Sequence, residues 1–117
     1  MLAVRADPTW LQQVVLNLAL NAMDATMNDL PGQRRVVMET QQVGQSKAGL
    51  SVSDTGMGIP ARELAIIFEP FASRRGGSGL VLSTSRGIVE AFGGKIWAMN
   101  KVEGGAVFQF TLPLFGV

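Results

Sequence analysis

Four polar side chains recur at helical spacing near the start of the chain: Gln13, Asn17, Asn21 and Asp24. At about 100° per residue they fall within one narrow sector of a helix. The other positions are apolar nearly all round, with Leu11, Val14, Val15, Leu18, Ala22 and Ala25 among them. That pattern predicts a buried helix, and a stripe of amides on it differs from the Lys and Glu of a solvated face. Asn is a mediocre helix former, so two of them one turn apart need a reason. At a cleft, such a pair presents carbonyl oxygens to a hard cation or amide donors to phosphate oxygens. Equally, two buried Asn can do no more than satisfy neighbouring backbone groups, and the helix alone leaves both readings open.

The second chemical segment is Ser51-Val52-Ser53-Asp54-Thr55-Gly56-Met57-Gly58-Ile59-Pro60. Leu50, Val52 and Asp54 share one face of a strand, so the two-residue period turns Asp54 inward with apolar companions. A buried carboxylate is costly unless it accepts hydrogen bonds, and an adenine exocyclic amine would supply one. Gly56 and Gly58 permit positive φ and close approach of a planar ligand to the backbone. By itself Asp-Thr-Gly also fits an ordinary strand-ending turn in which Asp bonds its own backbone.

The third segment, Arg74-Arg75-Gly76-Gly77-Ser78-Gly79-Leu80-Val81-Leu82-Ser83, is basic and glycine-rich and runs into a helix. Free N–H groups at a helix start attract anions, and glycines let the chain wrap phosphates. The segment lacks the GxxxxGK[ST] pattern, so it is not a P-loop. A flexible connection with solvated arginines is the competing reading.

The elements that must position these residues can be read from periodicity and breakers. Asp7-Pro8 predicts a helix start, with a helix over about 8–27 stopped by Pro31-Gly32. Residues 35–43 and 49–54 read as strands, a short helix is expected from Pro60 through Ile67, and 72–79 reads as a mobile loop. A second long helix is expected over about 80–92, ended by Gly93-Gly94. Lys95–Asn100 and Ala106–Leu112 read as a closing hairpin, the latter with Ala106, Phe108, Phe110 and Leu112 on one face. Helices separated by strand pairs imply an α/β (α+β) two-layer sandwich, with a mixed or antiparallel sheet packed on about three helices.

The missing residue types narrow the chemistry further. The 117 residues include no Cys and no His. Disulfides, thiolate zinc sites, Ser-His-Asp hydrolysis and imidazole proton shuttles are thereby excluded. Asn, Asp, Glu, Ser, Thr, Arg, Lys and the backbone remain, a set suited to Mg²⁺ and phosphates. Ten Lys+Arg against nine Asp+Glu leave a net charge of +1, which gives no case for a nucleic-acid or membrane-surface binder. No apolar run approaches the ~20 residues of a membrane span, and the N-terminus lacks the build of a signal peptide. A chain of this length with 47% hydrophobic residues is one domain, 1–117, with a core of its own.

Taken in order, these segments resemble the ATP-binding catalytic domain of bacterial sensor histidine kinases, a member of the superfamily shared with gyrase B, MutL and the heat-shock chaperone ATPases. Gln13–Ala22 looks like the asparagine box and Asp54–Pro60 like the first glycine box. Ile67-Phe68-Glu69-Pro70-Phe71 looks like the phenylalanine box, and Gly77–Ser83, continuing through Ser85–Gly94, like the second glycine box. The end, Gly104-Gly105, Phe108 and Leu112-Pro113, also fits. The resemblance covers practically the whole chain and implies a Bergerat-type ATP-binding fold.

It also implies roles. Asn21 would ligate Mg²⁺ bridging the nucleotide phosphates, and Asn17 would help to position metal and phosphates. Asn17 stands where ATP-hydrolysing relatives place a Glu that activates water; an amide takes no proton, which favours a kinase over a hydrolase. Asp54 would read the adenine amine, with Gly56, Gly58 and Ile59 shaping the floor. Phe68 and Phe71 would anchor the lid, or else be plain core. Gly77, Ser78, Gly79 and Leu80 would offer backbone groups to the phosphates, and Arg74 or Arg75 would touch the terminal one.

Three departures accompany the match. Val81 replaces the third glycine of the family pattern, which predicts a strained turn or a blocked approach. The lid between Phe71 and Gly77 is short, and Asp24 stands where many relatives carry a basic residue. The implied function is binding of Mg²⁺ and ATP and transfer of the γ-phosphoryl group to a histidine on a separate phosphoacceptor domain, a response regulator following indirectly. A module of the same fold that binds no nucleotide, and an anti-sigma-factor-type kinase acting on serine, stay open as alternatives. The resemblance also implies a cytoplasmic domain that contacts neither nucleic acid nor membrane and is monomeric by itself. Because the chain has no His, incubating it alone with labelled ATP should leave no acid-labile phosphate on it, as read by acid treatment of the denatured product.

Overall fold

Asp7 caps the first helix as the Asp7-Pro8 pair predicts. In the computed structural model, which describes residues 3–71 and 80–115, its Oδ1 accepts from the N–H of Thr9 at 2.8 Å and of Trp10 at 3.4 Å. Helix α1 spans Pro8–Ala25. It stops two residues before the expected end because Thr26 leaves helical geometry, and its hydroxyl donates back to the Met23 carbonyl at 2.8 Å. A 3-10 turn at Pro31–Gln33 then leads into the sheet.

The sheet has four strands: β1 (Val36–Val43), β2 (Lys47–Asp54), β3 (Lys95–Asn100) and β4 (Ala106–Pro113). Their order is β1-β2-β4-β3, and every pairing is antiparallel. Strand β2 starts at Lys47, before the expected residue 49, because this central strand finds partners on both sides: Lys47 pairs with Val43 and with Pro113. Gly44, at φ 65°, makes the tight turn that this early start requires.

Between β2 and β3 lie α2 (Ala61–Leu64) and α3 (Val81–Ala91). The helix expected through Ile67 is a single turn. Beyond it the chain closes shorter bonds, Ile66 N–H to the Glu63 carbonyl at 3.0 Å and Glu69 N–H to that of Ile66 at 2.9 Å. Those turns still bury Ile67. Helix α3 ends as Gly93-Gly94 predicts. Gly93 takes φ 81°, its N–H bonds the Glu90 carbonyl, and the Gly94 N–H reaches that of Val89 at 3.0 Å.

Helices α1 and α3 cover one face of the sheet. Val14, Leu18 and Ala22 of α1 and Leu82 and Val89 of α3 meet Val52, Ala106, Phe108, Phe110 and Leu112 of the inner strands. The expectation that α1 is buried all round fails: Leu16, Leu20 and Met23 are about half exposed, at 51%, 48% and 53%. Two layers explain this, since α1 has the sheet beneath and α3 beside it, and no third layer above it among the described residues.

Gly94 sits at the tightest helix–sheet contact. A Cβ there would stand 2.0 Å from the Thr111 carbonyl oxygen and 2.8 Å from Leu112. Gly94→Ala should therefore lower the unfolding free energy in urea by about 2–3 kcal/mol. Gly87→Ala, on the exposed side of α3 with nothing within 4 Å of its Cβ, should raise it by about 0.5–1 kcal/mol in the same titration.

Candidate functional site

The amide stripe of α1 divides along its length. Gln13 and Asp24 are exposed, whereas Asn17 and Asn21 are buried, at 7% and 5% exposure. Asn17 is held by side chains on both sides. Its Oδ1 accepts from Gln13 Nε2 at 2.7 Å, and its Nδ2 donates to the buried Ser85 Oγ at 3.1 Å. Ser85 in turn donates to the Val81 carbonyl at 2.9 Å. The chain of bonds ties α1 to the first turn of α3, where the glycine-rich segment enters. Asn21 differs: its Nδ2 is fully enclosed and has no hydrogen-bond partner. A buried donor without a partner is costly. Packing within the chain gives this donor no compensation.

Asp54 ends β2 at 1% exposure. Its Oδ1 accepts from the Gly56 N–H at 2.9 Å and from the Ala106 N–H at 3.3 Å. The strand-ending turn and the buried carboxylate are thus the same structure. The two glycines after it have separate tasks. Gly58 takes φ 77°. Gly56 is not in the positive-φ region, contrary to expectation; a Cβ on it would lie 2.2 Å from the Ala25 carbonyl oxygen. Gly56 is small so that this loop can lie against the end of α1, one turn beyond Asn21. Thr55 fixes the loop from the other side, its hydroxyl shared between Asp29 Oδ2 at 3.0 Å and the Gln33 carbonyl at 3.2 Å. The start of α3 therefore meets the α1 amides at Asn17, and the loop after Asp54 lies against the end of the same helix at Ala25.

Ile59 is buried, and its backbone is bracketed by Asn100. Phe68 is half-buried and packs edge-on against Phe108, ring centroids 6.0 Å apart at 82°. Phe71 is 71% exposed and holds φ 62°. Strain was expected at Val81. Val81 instead opens α3 in helical geometry, and among the described non-glycine residues only Phe71 has positive φ. Leu80 is exposed just before α3, its carbonyl accepting from the Thr84 N–H at 2.9 Å. Arg74, Arg75, Gly77, Ser78 and Gly79, with the expected loop over 72–79, lie outside the described residues.

Sequence reasoning gave no role to Ser85 or Asn100. Ser85 had a signal, a polar residue on the apolar α3 stripe formed by Leu82 and Val89. Asn100 had none beyond ending a strand. Among the described residues no three acidic, His or Cys side chains gather to hold a metal. Mg²⁺ needs only one or two protein oxygens when it keeps waters and shares substrate phosphates. Asn21 suits that requirement, since its side-chain amide carries one such oxygen.

The family model for the histidine kinase-, DNA gyrase B-, and HSP90-like ATPases matches residues 6–116. The chain belongs to this family. Sensor protein FixL of Bradyrhizobium diazoefficiens is 38% identical over 111 residues, which are 94% of this chain and 22% of FixL. Among solved structures, the mycobacterial sensor histidine kinase MprB aligns with a TM-score of 0.83 at 30% identity, over 95% of this chain and 74% of that one. Full-length ShkA in complex with AMPPNP aligns with a TM-score of 0.82 at 30% identity, over 97% of this chain and 23% of that one. The chain thus spans under a quarter of FixL and ShkA. The antiparallel sheet covered by helices on one face is the fold of these histidine kinase catalytic domains, as the sequence implied.

The unpartnered amide of Asn21 has a measurable consequence. Asn21→Leu, close in shape and free of a buried donor, should raise the unfolding free energy by about 1 kcal/mol. Asn17→Leu, which strands Gln13 and Ser85, should lower it; thermal or urea unfolding of both variants reads the sign.

Proposed function

We propose that residues 1–117 form one catalytic domain that binds ATP with Mg²⁺ and, within a longer sensor kinase, passes the γ-phosphoryl group to a histidine on a separate phosphoacceptor domain. The observation that carries this reading is the contrast between the two buried amides: Asn17 locked by Gln13 and Ser85, and Asn21 with its Nδ2 left unpartnered. Asn21 holds the metal through its amide oxygen, and Asn17 orients the phosphates beside it. Bound Mg²⁺ supplies charge neutralisation at the phosphates. Phosphoryl transfer needs mainly positioning and charge stabilisation, and this site is suited to both, with an amide at Asn17 where a proton-accepting side chain would otherwise stand. An amide at Asn17 activates no water, so the phosphoryl group is kept for a protein acceptor.

Asp54 accepts from the adenine exocyclic amine, with Gly56, Gly58 and Ile59 as the floor under the base. Phe68 and Phe71 bound the lid. Gly77, Ser78, Gly79 and Leu80 bring backbone groups to the phosphates, and Arg74 or Arg75 the terminal charge. The response regulator takes the group afterwards from the acceptor histidine. Among the described residues no helix is long and apolar enough to cross a membrane, and ATP as the substrate puts the domain on the cytoplasmic side. The helical geometry of Val81 takes away the strained turn, one of three arguments for the degenerate module beside a blocked approach and the short lid.

Calorimetric titration with ADP and a non-hydrolysable ATP analogue, with and without Mg²⁺, tests the reading. Binding should need Mg²⁺ for the analogue's full affinity. Asp54→Ala should lower affinity at least about a hundredfold, because the loop after it loses its carboxylate anchor along with the base contact. A folded chain that binds neither nucleotide at millimolar concentration overturns it.

A further inference from the structure

We infer that Asn100, at the end of β3, is a positioning residue for base recognition: its side-chain amide holds the Gly58–Ile59 backbone in register with Asp54. The inference rests on the nucleotide-binding reading above. Asn100 Nδ2 donates to the Ile59 carbonyl at 2.8 Å, and Asn100 Oδ1 accepts from the Ile59 N–H at 2.7 Å. Both polar groups of one peptide residue are therefore taken by a single side chain, which acts as a short extra strand. Those distances are at the strong end for amide hydrogen bonds.

The position of Asn100 in the sheet makes this bracket more than a local contact. Asn100 pairs with Ala106 on the last rung of the β3–β4 ladder. The N–H of Ala106 donates to Asp54 Oδ1 at 3.3 Å. One rung of one hairpin thus grips both ends of the loop, the carboxylate at its start through Ala106 and the backbone at its finish through Asn100. Two glycines make the grip possible. A Cβ on Gly58 would come within 3.0 Å of Asn100 Oδ1, and one on Gly105 within 2.0 Å of the Asp54 carbonyl oxygen. The distance from Asp54 to Ile59 is set by the hairpin, and that distance decides whether a base resting on Ile59 puts its exocyclic amine on the carboxylate.

Asn100 itself is exposed. Truncating it opens no core cavity and leaves the ladder pairing of its backbone intact, so the effect falls on the loop. The test compares ADP with IDP, whose hypoxanthine ring carries an oxygen in place of the exocyclic amine, by calorimetry on wild type, Asn100→Ala and Asn100→Asp. In wild type, ADP should bind at least about tenfold more tightly than IDP. In Asn100→Ala, ADP affinity should fall about tenfold while IDP affinity changes less than about threefold, so the ratio collapses. Asn100→Asp keeps the acceptor for the Ile59 N–H and loses the donor to its carbonyl. It should shift the ratio the same way and covers the case in which the alanine variant does not fold. A variant that weakens both nucleotides equally, or leaves the ratio at its wild-type value, overturns the positioning role while nucleotide binding stands. Wild type that binds neither nucleotide overturns the underlying reading instead.

Discussion

A carboxylate enclosed at 1% exposure, Asp54, sets the terms for everything around it. Out of water it must be given N–H groups, and the chain supplies them from two directions, Gly56 in its own turn and Ala106 across the sheet. Each donor requires a close backbone approach. Gly105 lies against the Asp54 carbonyl, and Gly56 lies against the Ala25 carbonyl at the end of α1. A side chain at either place would push apart elements that the carboxylate holds together. The loop between β2 and α2 is therefore positioned by a buried charge and by the absence of two methyl groups, with little apolar packing of its own beyond Ile59.

The α1 helix solves a different problem with similar means. Its sheet-facing side is ordinary core, and its polar seam faces α3, where Asn17 and Ser85 bond each other. That bond and the Ser85 bond to the Val81 carbonyl fix the start of α3 relative to α1. Asn21 lies one turn further along the same seam and keeps an unsatisfied donor. Holding such a group in the folded chain weakens it, and the metal-holding role proposed for Asn21 would account for what packing does not.

Much of this was legible in the sequence because it rests on local rules. The Asp7-Pro8 start and the Gly93-Gly94 stop are set by capping chemistry, and the inward alternation of β4 by the two-residue period of a strand. Asp54 was read as buried from the same period. What was misread depends on neighbours distant in sequence. The extra length of β2 follows from β4, 66 residues away in sequence at the Lys47–Pro113 pair. The exposed Leu16, Leu20 and Met23 follow from the two-layer arrangement of the described residues, which apolar periodicity on one helix does not reveal. Gly56 and Gly58 look alike in a motif; one is required by backbone conformation and the other by the proximity of α1. Val81 was suspect as a replacement for glycine, yet helical geometry suits a β-branched residue there, and the positive φ fell on Phe71 instead.

Asn100 shows why a binding loop can be specified by residues outside every motif. A short loop has few internal contacts, and its conformation is borrowed from the elements that flank it. Here the lender is the β3–β4 hairpin, whose last rung places a backbone N–H on one end of the loop and an amide side chain on the other. The hairpin is a regular, well-paired element with its own register, so the spacing it imposes is rigid. The loop keeps Thr55 bonded to the α1–β1 connection as a second, independent tether. Two tethers on opposite sides leave Met57, 72% exposed, as the one side chain between Asp54 and Ile59 that is strongly exposed. The backbone around it is fixed before any ligand arrives, and preorganisation of this kind reduces the ordering cost of binding.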